Sequence, residues 1–212
     1  MSTYDLEEQE QLAELKAWWK RFGGIVVAAV VLAALIIAGY AGWRWYQYSQ
    51  SAQASVLYTE LVNAAGQGDT KKVRDLAGTL IAQYPRTAYA PLGMLVSAKT
   101  EFAAGDAKTA QAQLGWVVDN ARDDEVRVIA RVRLAQVLLD QKAYDDALKV
   151  LSAKVPPEFA SMIDNARGDV LVAKGAKAEA RAAYKSALDS LGRSDGATRE
   201  LIRLKLDALG EN

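Results

Sequence analysis

The stretch FGGIVVAAVVLAALIIAGYAGW, from Phe22 to Trp43, contains no charged residue over its 22 positions. An α-helix of this length rises about 33 Å, enough to cross a bilayer hydrocarbon core of about 30 Å. The sequence therefore predicts a transmembrane helix over residues 22–43. Two alternatives remain, a buried helix of a globular core and a secretory signal peptide cleaved near Ala41. The stretch is long for a signal peptide, and an acidic rather than a basic leader precedes it.

Aromatic and basic residues flank both ends of the predicted span. Indole rings favour the headgroup layer, and neighbouring lysine or arginine side chains reach phosphate from there. We therefore expect the membrane-interface anchors to be Trp18, Trp19, Lys20, Arg21, Trp43, Arg44, Trp45 and Tyr46.

Basic residues are more frequent before the span than after it, which predicts a single-pass protein with a cytoplasmic N-terminus. Residues 1–21 would then be a cytoplasmic amphipathic leader and residues 44–50 an aromatic and basic interfacial linker. Residues 51–212 would form a periplasmic domain at the inner membrane of a bacterium.

The region after residue 50 is rich in helix-forming residues and carries an internal repeat. Gly68-Asp69, Gly105-Asp106, Lys142-Ala143 and Gly175-Ala176 align as turns, at spacings of 37, 37 and 33 residues. Seven positions before, five after and nine after each turn, apolar or small residues recur. The period and the small residues resemble the tetratricopeptide pattern. The predicted fold is all-α, a transmembrane helix followed by an α-solenoid of tetratricopeptide-like hairpins.

The repeat is uneven, and an irregular helical bundle remains the alternative. The first unit has Leu61 and Val73 where small residues are expected, as in an atypical terminal repeat. Pro85 and Pro156-Pro157 follow second helices, which they would end. Residues from about 197 to 209 are predicted to form a closing helix over the last hairpin.

The composition argues against catalysis. Histidine and cysteine are both absent, which removes Ser-His-Asp and Cys-His catalysis and the commonest metal ligands. We interpret Asp123-Asp124-Glu125 and Asp145-Asp146 as helix-capping and first-turn residues. Of 26 basic and 26 acidic residues, four and five lie before residue 50, so the repeat region is nearly neutral. We expect a non-enzymatic protein with no cofactor, no small-molecule substrate and no nucleic-acid partner.

Stacked hairpins present a surface lined by their first helices, where partner segments commonly bind. By the repeat register, the candidate partner-binding residues are Lys99, Phe102, Gln136, Leu139, Asp169 and Val172. Phe102, Leu139 and Val172 could instead belong to the core between repeats.

The chain also resembles a known family. The leader from Tyr4 to Gln11, Trp18-Trp19-Lys20, the single span, the segment Gly42–Tyr46 and the four repeat units are similar to the YfgM family. Members of that family are ancillary subunits of the bacterial SecYEG translocon. The resemblance implies a periplasmic repeat domain that works beside the translocon with the chaperone PpiD on emerging polypeptides. The alternative is a periplasmic scaffold for cell-wall or division machinery.

Overall fold

A computed structural model of the chain describes residues 3–192 and 195–210, with side chains from residue 11 onward. This described part contains nine α-helices, one short 3₁₀ helix and no β-strand, which confirms the all-α prediction. The chain divides into two compact units, Met1–Gln50 and Ser51–Asn212. The helices are α1 (Thr3–Gly66), α2 (Thr70–Gln83), α3 (Tyr89–Ala103), α4 (Ala107–Asn120), α5 (Asp124–Asp140), α6 (Tyr144–Leu151), η1 (Pro157–Phe159), α7 (Ala160–Lys174), α8 (Lys177–Asp189) and α9 (Gly196–Asp207).

The first unit consists of the N-terminal part of α1. From Thr3 onward, no break separates the leader, the apolar stretch and the predicted linker, because these residues all lie within this helix. The side chains of residues 3–10, which include the acidic part of the leader, lie outside the described residues. In the described part, α1 is the one helix long and apolar enough to cross a membrane, and almost no residue of its apolar stretch is buried.

Aromatic rings cluster at both ends of the apolar stretch. The Trp18 and Phe22 ring centroids are 5.7 Å apart, and the Arg21 guanidinium lies 5.5 Å from the Phe22 centroid. At the other end, the Arg44 guanidinium lies 5.9 Å from the Tyr40 centroid. Trp18, Trp19, Trp43, Trp45 and Tyr46 are all about half exposed or more. These side chains are therefore free to contact lipid headgroups.

The second unit is a stack of four helical hairpins and a closing helix. The end of α1 pairs with α2, and the following pairs are α3 with α4, α5 with α6, and α7 with α8. The first three hairpins and α7 share one apolar core that extends from Ala54 to Val170. Two smaller apolar clusters join α7 to α8 and α8 to α9. This architecture confirms the predicted α-solenoid.

Each hairpin turns through the same backbone motif. Gly68, Gly105, Lys142 and Gly175 have φ of 74°, 89°, 61° and 87°, the left-handed region that ends helices. In the second hairpin, the Gly105 N–H donates to the Phe102 carbonyl (3.0 Å), and the next N–H donates to the Glu101 carbonyl (2.9 Å). The same two bonds close the other three turns. The motif satisfies carbonyls that a helix end would leave unpaired, and three of its four positions use glycine, which accepts positive φ without strain.

Aspartates cap the helices that follow several turns. The carboxylates of Asp69 and Asp106 accept bonds from the backbone N–H groups of Lys72 and Thr109, both at 3.0 Å. Asp123 caps α5 in the same way, because its carboxylate accepts bonds from the backbone N–H groups of Glu125 and Val126. The capping interpretation of the acidic cluster at Asp123 is therefore confirmed.

The repeat register places its key residues in the core. The positions five after each turn, Val73, Ala110, Ala147 and Ala180, are all 0% exposed. In the fourth hairpin, Gly168 on α7 faces the buried ring of Tyr184 on α8. A Cβ atom at residue 168 would lie 2.3 Å from Cε1 of Tyr184. The largest side chain at this pair of positions thus requires a glycine opposite.

The other hairpins divide the same space differently. In each of the first three hairpins, one residue lies seven positions before the turn and its counterpart nine positions after it. These pairs are Leu61 with Ala77, Ala98 with Leu114, and Ala135 with Leu151, and all six residues are buried. A small residue on one helix accompanies a large one on the other in every case. The unexpected Leu61 is therefore compensated by Ala77, and Gly93 on α3 leaves further room beside it.

The closing helix forms as predicted, but with a narrower contact face. Ile202 is 0% exposed and packs with Tyr184 and Ala187 of α8. Leu201 and Leu204 are more than half exposed, so they do not cover the last hairpin. The reason is the helical period, which turns these two positions away from the face that carries Ile202.

Candidate partner-binding site

Three of the six predicted surface residues line one pocket. Lys99 and Phe102 of α3 and Gln136 of α5 surround a cavity of about 260 Å³, together with Arg133. Its floor is formed by the buried side chains of Ala98, Leu114 and Val137. We call this cavity the α3–α5 pocket. Arg133 is not among the six residues predicted from the repeat register. It lies about one helical turn before Gln136 and so shares the same face of α5.

The helix spacing explains how the pocket is built. On α3, positions 99 and 102 are three residues apart and point to the same side, and positions 133 and 136 do so on α5. The 37-residue period places Lys99 and Gln136 at equivalent positions of successive repeats. Their long side chains stand at the rim, whereas the Phe102 ring, 37% exposed, forms one wall. The pocket therefore has a polar rim above an apolar floor.

An ion pair between a buried carboxylate and a half-exposed arginine joins α3 to α2. The Glu101 carboxylate is fully buried and accepts two bonds from Arg74 of α2, at 2.7 Å from Nε and 2.6 Å from Nη2. The hydrogen bonds to Glu101, followed by its charge, raise the pKa of Arg74. A bidentate pair of this kind also sets geometry, because the guanidinium fork and the carboxylate must be coplanar. Glu101 adjoins Phe102, so the pair holds the pocket wall in place.

The remaining predicted residues do not join the pocket. Leu139 is half-buried and packs against the core, whereas Val172 is 41% exposed on α7. Asp169 is engaged within the chain, because it accepts bonds from the Tyr184 hydroxyl (2.7 Å) and from Nζ of Lys205 (2.7 Å). Asp169 therefore connects α7 to both α8 and α9.

The Tyr184 hydroxyl titrates in an unusual environment. Burial of the ring, followed by the hydrogen bond to Asp169 and the charge of that carboxylate, raises the pKa of Tyr184 well above its usual 10.0. Each effect disfavours the phenolate. The phenol therefore stays neutral and keeps donating to Asp169 at physiological pH.

The lining of the pocket does not form a catalytic arrangement. Its lining contains a lysine, an arginine, an amide and apolar groups, but no nucleophile paired with a base. Among the described residues there is also no cluster of acidic side chains able to hold a metal ion.

Comparisons with known proteins cover nearly the whole chain. A family model described as a tetratricopeptide repeat-like domain matches residues 16–211. A protein of Neisseria gonorrhoeae named "Ancillary SecYEG translocon subunit" is 35% identical over 208 residues, covering 96% of this chain and 98% of that protein. Proteins with the same name from Haemophilus influenzae and Escherichia coli are 29% and 25% identical and are covered over 99% of their lengths.

Proposed function

The chain belongs to the tetratricopeptide repeat-like family of ancillary SecYEG translocon subunits, and on this premise we propose that it is a non-catalytic accessory subunit of the SecYEG translocon. The observation that carries the proposal is the near full-length similarity to the Neisseria gonorrhoeae protein, which spans anchor and repeats together. A match to the repeats alone would carry little weight, since many unrelated proteins share such hairpins.

In this proposal the first unit anchors the protein in the membrane and the second binds partner proteins. The apolar helix with its aromatic ends would insert in the inner membrane, beside the translocon, with the N-terminus in the cytoplasm. The excess of basic residues before the span supports that orientation. Residues 51–212 would then lie in the periplasm, where exported chains emerge.

The repeat domain would bind a periplasmic chaperone such as PpiD, emerging polypeptides, or both. This role is supported by exposed side chains on the first helices of the hairpins, among them Lys99, Phe102 and Gln136, because exposed side chains are available to a partner. Tethering both partners to one membrane raises their effective concentration, so weak contacts suffice.

Site-specific photocrosslinking tests this function. A photoreactive amino acid replaces Gln136 in one strain and Lys154, which is exposed and does not line the α3–α5 pocket, in a matched control strain. Crosslinks from position 136 to PpiD or to a stalled exported chain, with few from position 154, are expected. Mild-detergent purification should also recover SecY. Recovery of division or cell-wall proteins without SecY would contradict the proposal and favour the scaffold alternative.

Topology needs its own measurement. Protease added to intact spheroplasts should digest residues 51–212 while a cytoplasmic control protein survives. A protected repeat domain would contradict the proposed orientation.

A further inference from the structure

The rim of the α3–α5 pocket carries positive charge that the chain does not neutralise. Lys99 and Arg133 are both exposed. Within the described part of the chain, neither forms an ion pair, whereas Arg74 and Lys174 on other helices do. No acidic side chain contributes to the described lining of the pocket. Two cations of like sign at one pocket repel each other and favour an anionic occupant.

The interior of the pocket is apolar, unlike its charged rim, and therefore favours an apolar group. Its floor of Ala98, Leu114 and Val137 and its Phe102 wall are apolar, so covering them removes hydrocarbon from water. The volume of about 260 Å³ falls below the 300–1,000 Å³ typical of sites for drug-sized ligands. The space therefore suits one large side chain of a partner rather than a complete small molecule.

Resting on the proposed function, we infer that the α3–α5 pocket binds a protein segment in which an apolar side chain is flanked by carboxylates. The apolar side chain contacts Phe102 and the floor, while the flanking carboxylates accept hydrogen bonds from Lys99 and Arg133. The Gln136 amide is placed at the same rim to bond the segment's backbone. Because the cations are exposed, the contribution of charge should weaken as salt is added.

Peptide binding by the full-length chain in detergent micelles tests this inference. Three fluorescein-labelled peptides are compared by anisotropy: Ser-Gly-Asp-Asp-Phe-Asp-Gly-Ser, its analogue with asparagine for each aspartate, and its analogue with serine for phenylalanine. The acidic phenylalanine peptide should bind about tenfold more tightly than the asparagine analogue, which two exposed charge contacts allow. It should also bind about tenfold more tightly than the serine analogue, because that analogue buries no large apolar side chain. Equal binding of the asparagine analogue, or no binding at all, would overturn the inference.

Charge reversal provides the matched control. Lys99→Glu/Arg133→Glu should lose the preference and bind a lysine version of the phenylalanine peptide instead. Lys154→Glu/Lys177→Glu changes the net charge equally at exposed positions outside the pocket and should bind like the original chain. Circular dichroism verifies that both variants remain folded. If both reversals weaken binding alike, the pocket is not the site.

The same variants separate the two proposals. A Lys99→Glu/Arg133→Glu chain that still copurifies with SecY, while the original chain shows no acidic preference, refutes the pocket inference alone. Failure of the original chain to copurify with SecY refutes the proposed function, whatever the peptides do.

Discussion

Replacing Gly168 by alanine tests the size matching inside the hairpins. The new methyl group would sit 2.3 Å from Cε1 of Tyr184, far inside van der Waals contact. The ring has little room to withdraw, because Tyr184 is 2% exposed and its hydroxyl is bonded to Asp169 at 2.7 Å. Relief of the overlap therefore requires the two helices to separate or the hydrogen bond to break.

The expected magnitude is a balance of two effects. Overpacking a well-filled core costs about 1–3 kcal/mol, whereas alanine in a helix interior gains about 1 kcal/mol over glycine. We expect Gly168→Ala to lower the free energy of unfolding by up to about 2 kcal/mol. Gly78→Ala is the matched control, since Gly78 lies within α2 and a Cβ there meets nothing within 4 Å. It should raise the free energy of unfolding by about 0.5–1 kcal/mol.

A double substitution makes the test specific. Gly168→Ala/Tyr184→Leu copies the Ala98 and Leu114 pair of the second hairpin and removes the clash. Its stability should exceed the sum of the two single effects by about 1 kcal/mol or more, the coupling expected of residues in direct contact.

The measurement is urea-induced unfolding of the detergent-solubilised chain, followed by far-ultraviolet circular dichroism. Membrane-helix signal persists in detergent, so the transition reports the repeats. In thermal unfolding, each kcal/mol should shift the midpoint by about 2–4 °C for a domain of this size. Gly168→Ala that is as stable as Gly78→Ala, or a double variant without coupling, would refute the size-matching argument.

Three further predictions follow from the hairpins. Lys142→Gly should stabilise the chain by about 1 kcal/mol in the same urea assay, because lysine at φ of 61° is strained where glycine is not, and no gain would contradict that origin. Arg74→Ala should lower the urea midpoint more than Glu101→Gln, because it leaves a buried carboxylate without its counter-charge, and the reverse order would contradict this explanation. The pKa of Tyr184 is raised in the folded chain, so its stabilisation is complete below the unfolded pKa of 10.0 and is lost as the pH rises further. Unfolding curves for the original chain and Tyr184→Phe should therefore converge above about pH 10, and a constant difference would argue against a titrating Tyr184.

The hairpins could be predicted from the sequence, because the residues that determine their turns and buried positions recur at regular intervals along the chain. Three of the turns are marked by glycine, and the spacing located the fourth at Lys142 without one. The residues at fixed offsets from each turn, such as Ala110 and Leu151, are buried as the register predicts. A period of 37 residues is a strong signal because a helical pair must return to the same face each time.

The ion pairs could not be predicted in the same way. Arg74 and Glu101 are 27 residues apart, and Asp169 and Lys205 are 36 apart, on helices whose crossing angle the periodicity leaves open. Asp169 was expected at the partner surface from its register, yet the structure pairs it with Lys205. Arg133 is the residue that helical spacing could have revealed, since it lies on the face that carries Gln136.

The paired volumes have a consequence for how this chain can change over generations. Within each hairpin, the residue before the turn and the residue after it must alter together, because either step alone leaves a void or a collision. The balance is not confined to one hairpin everywhere, because Leu61 of the first hairpin also depends on the space left by Gly93 of the second. Descendant sequences should therefore carry substitutions at these paired positions together, and a larger residue at position 93 should appear only with smaller residues at positions 61 or 80.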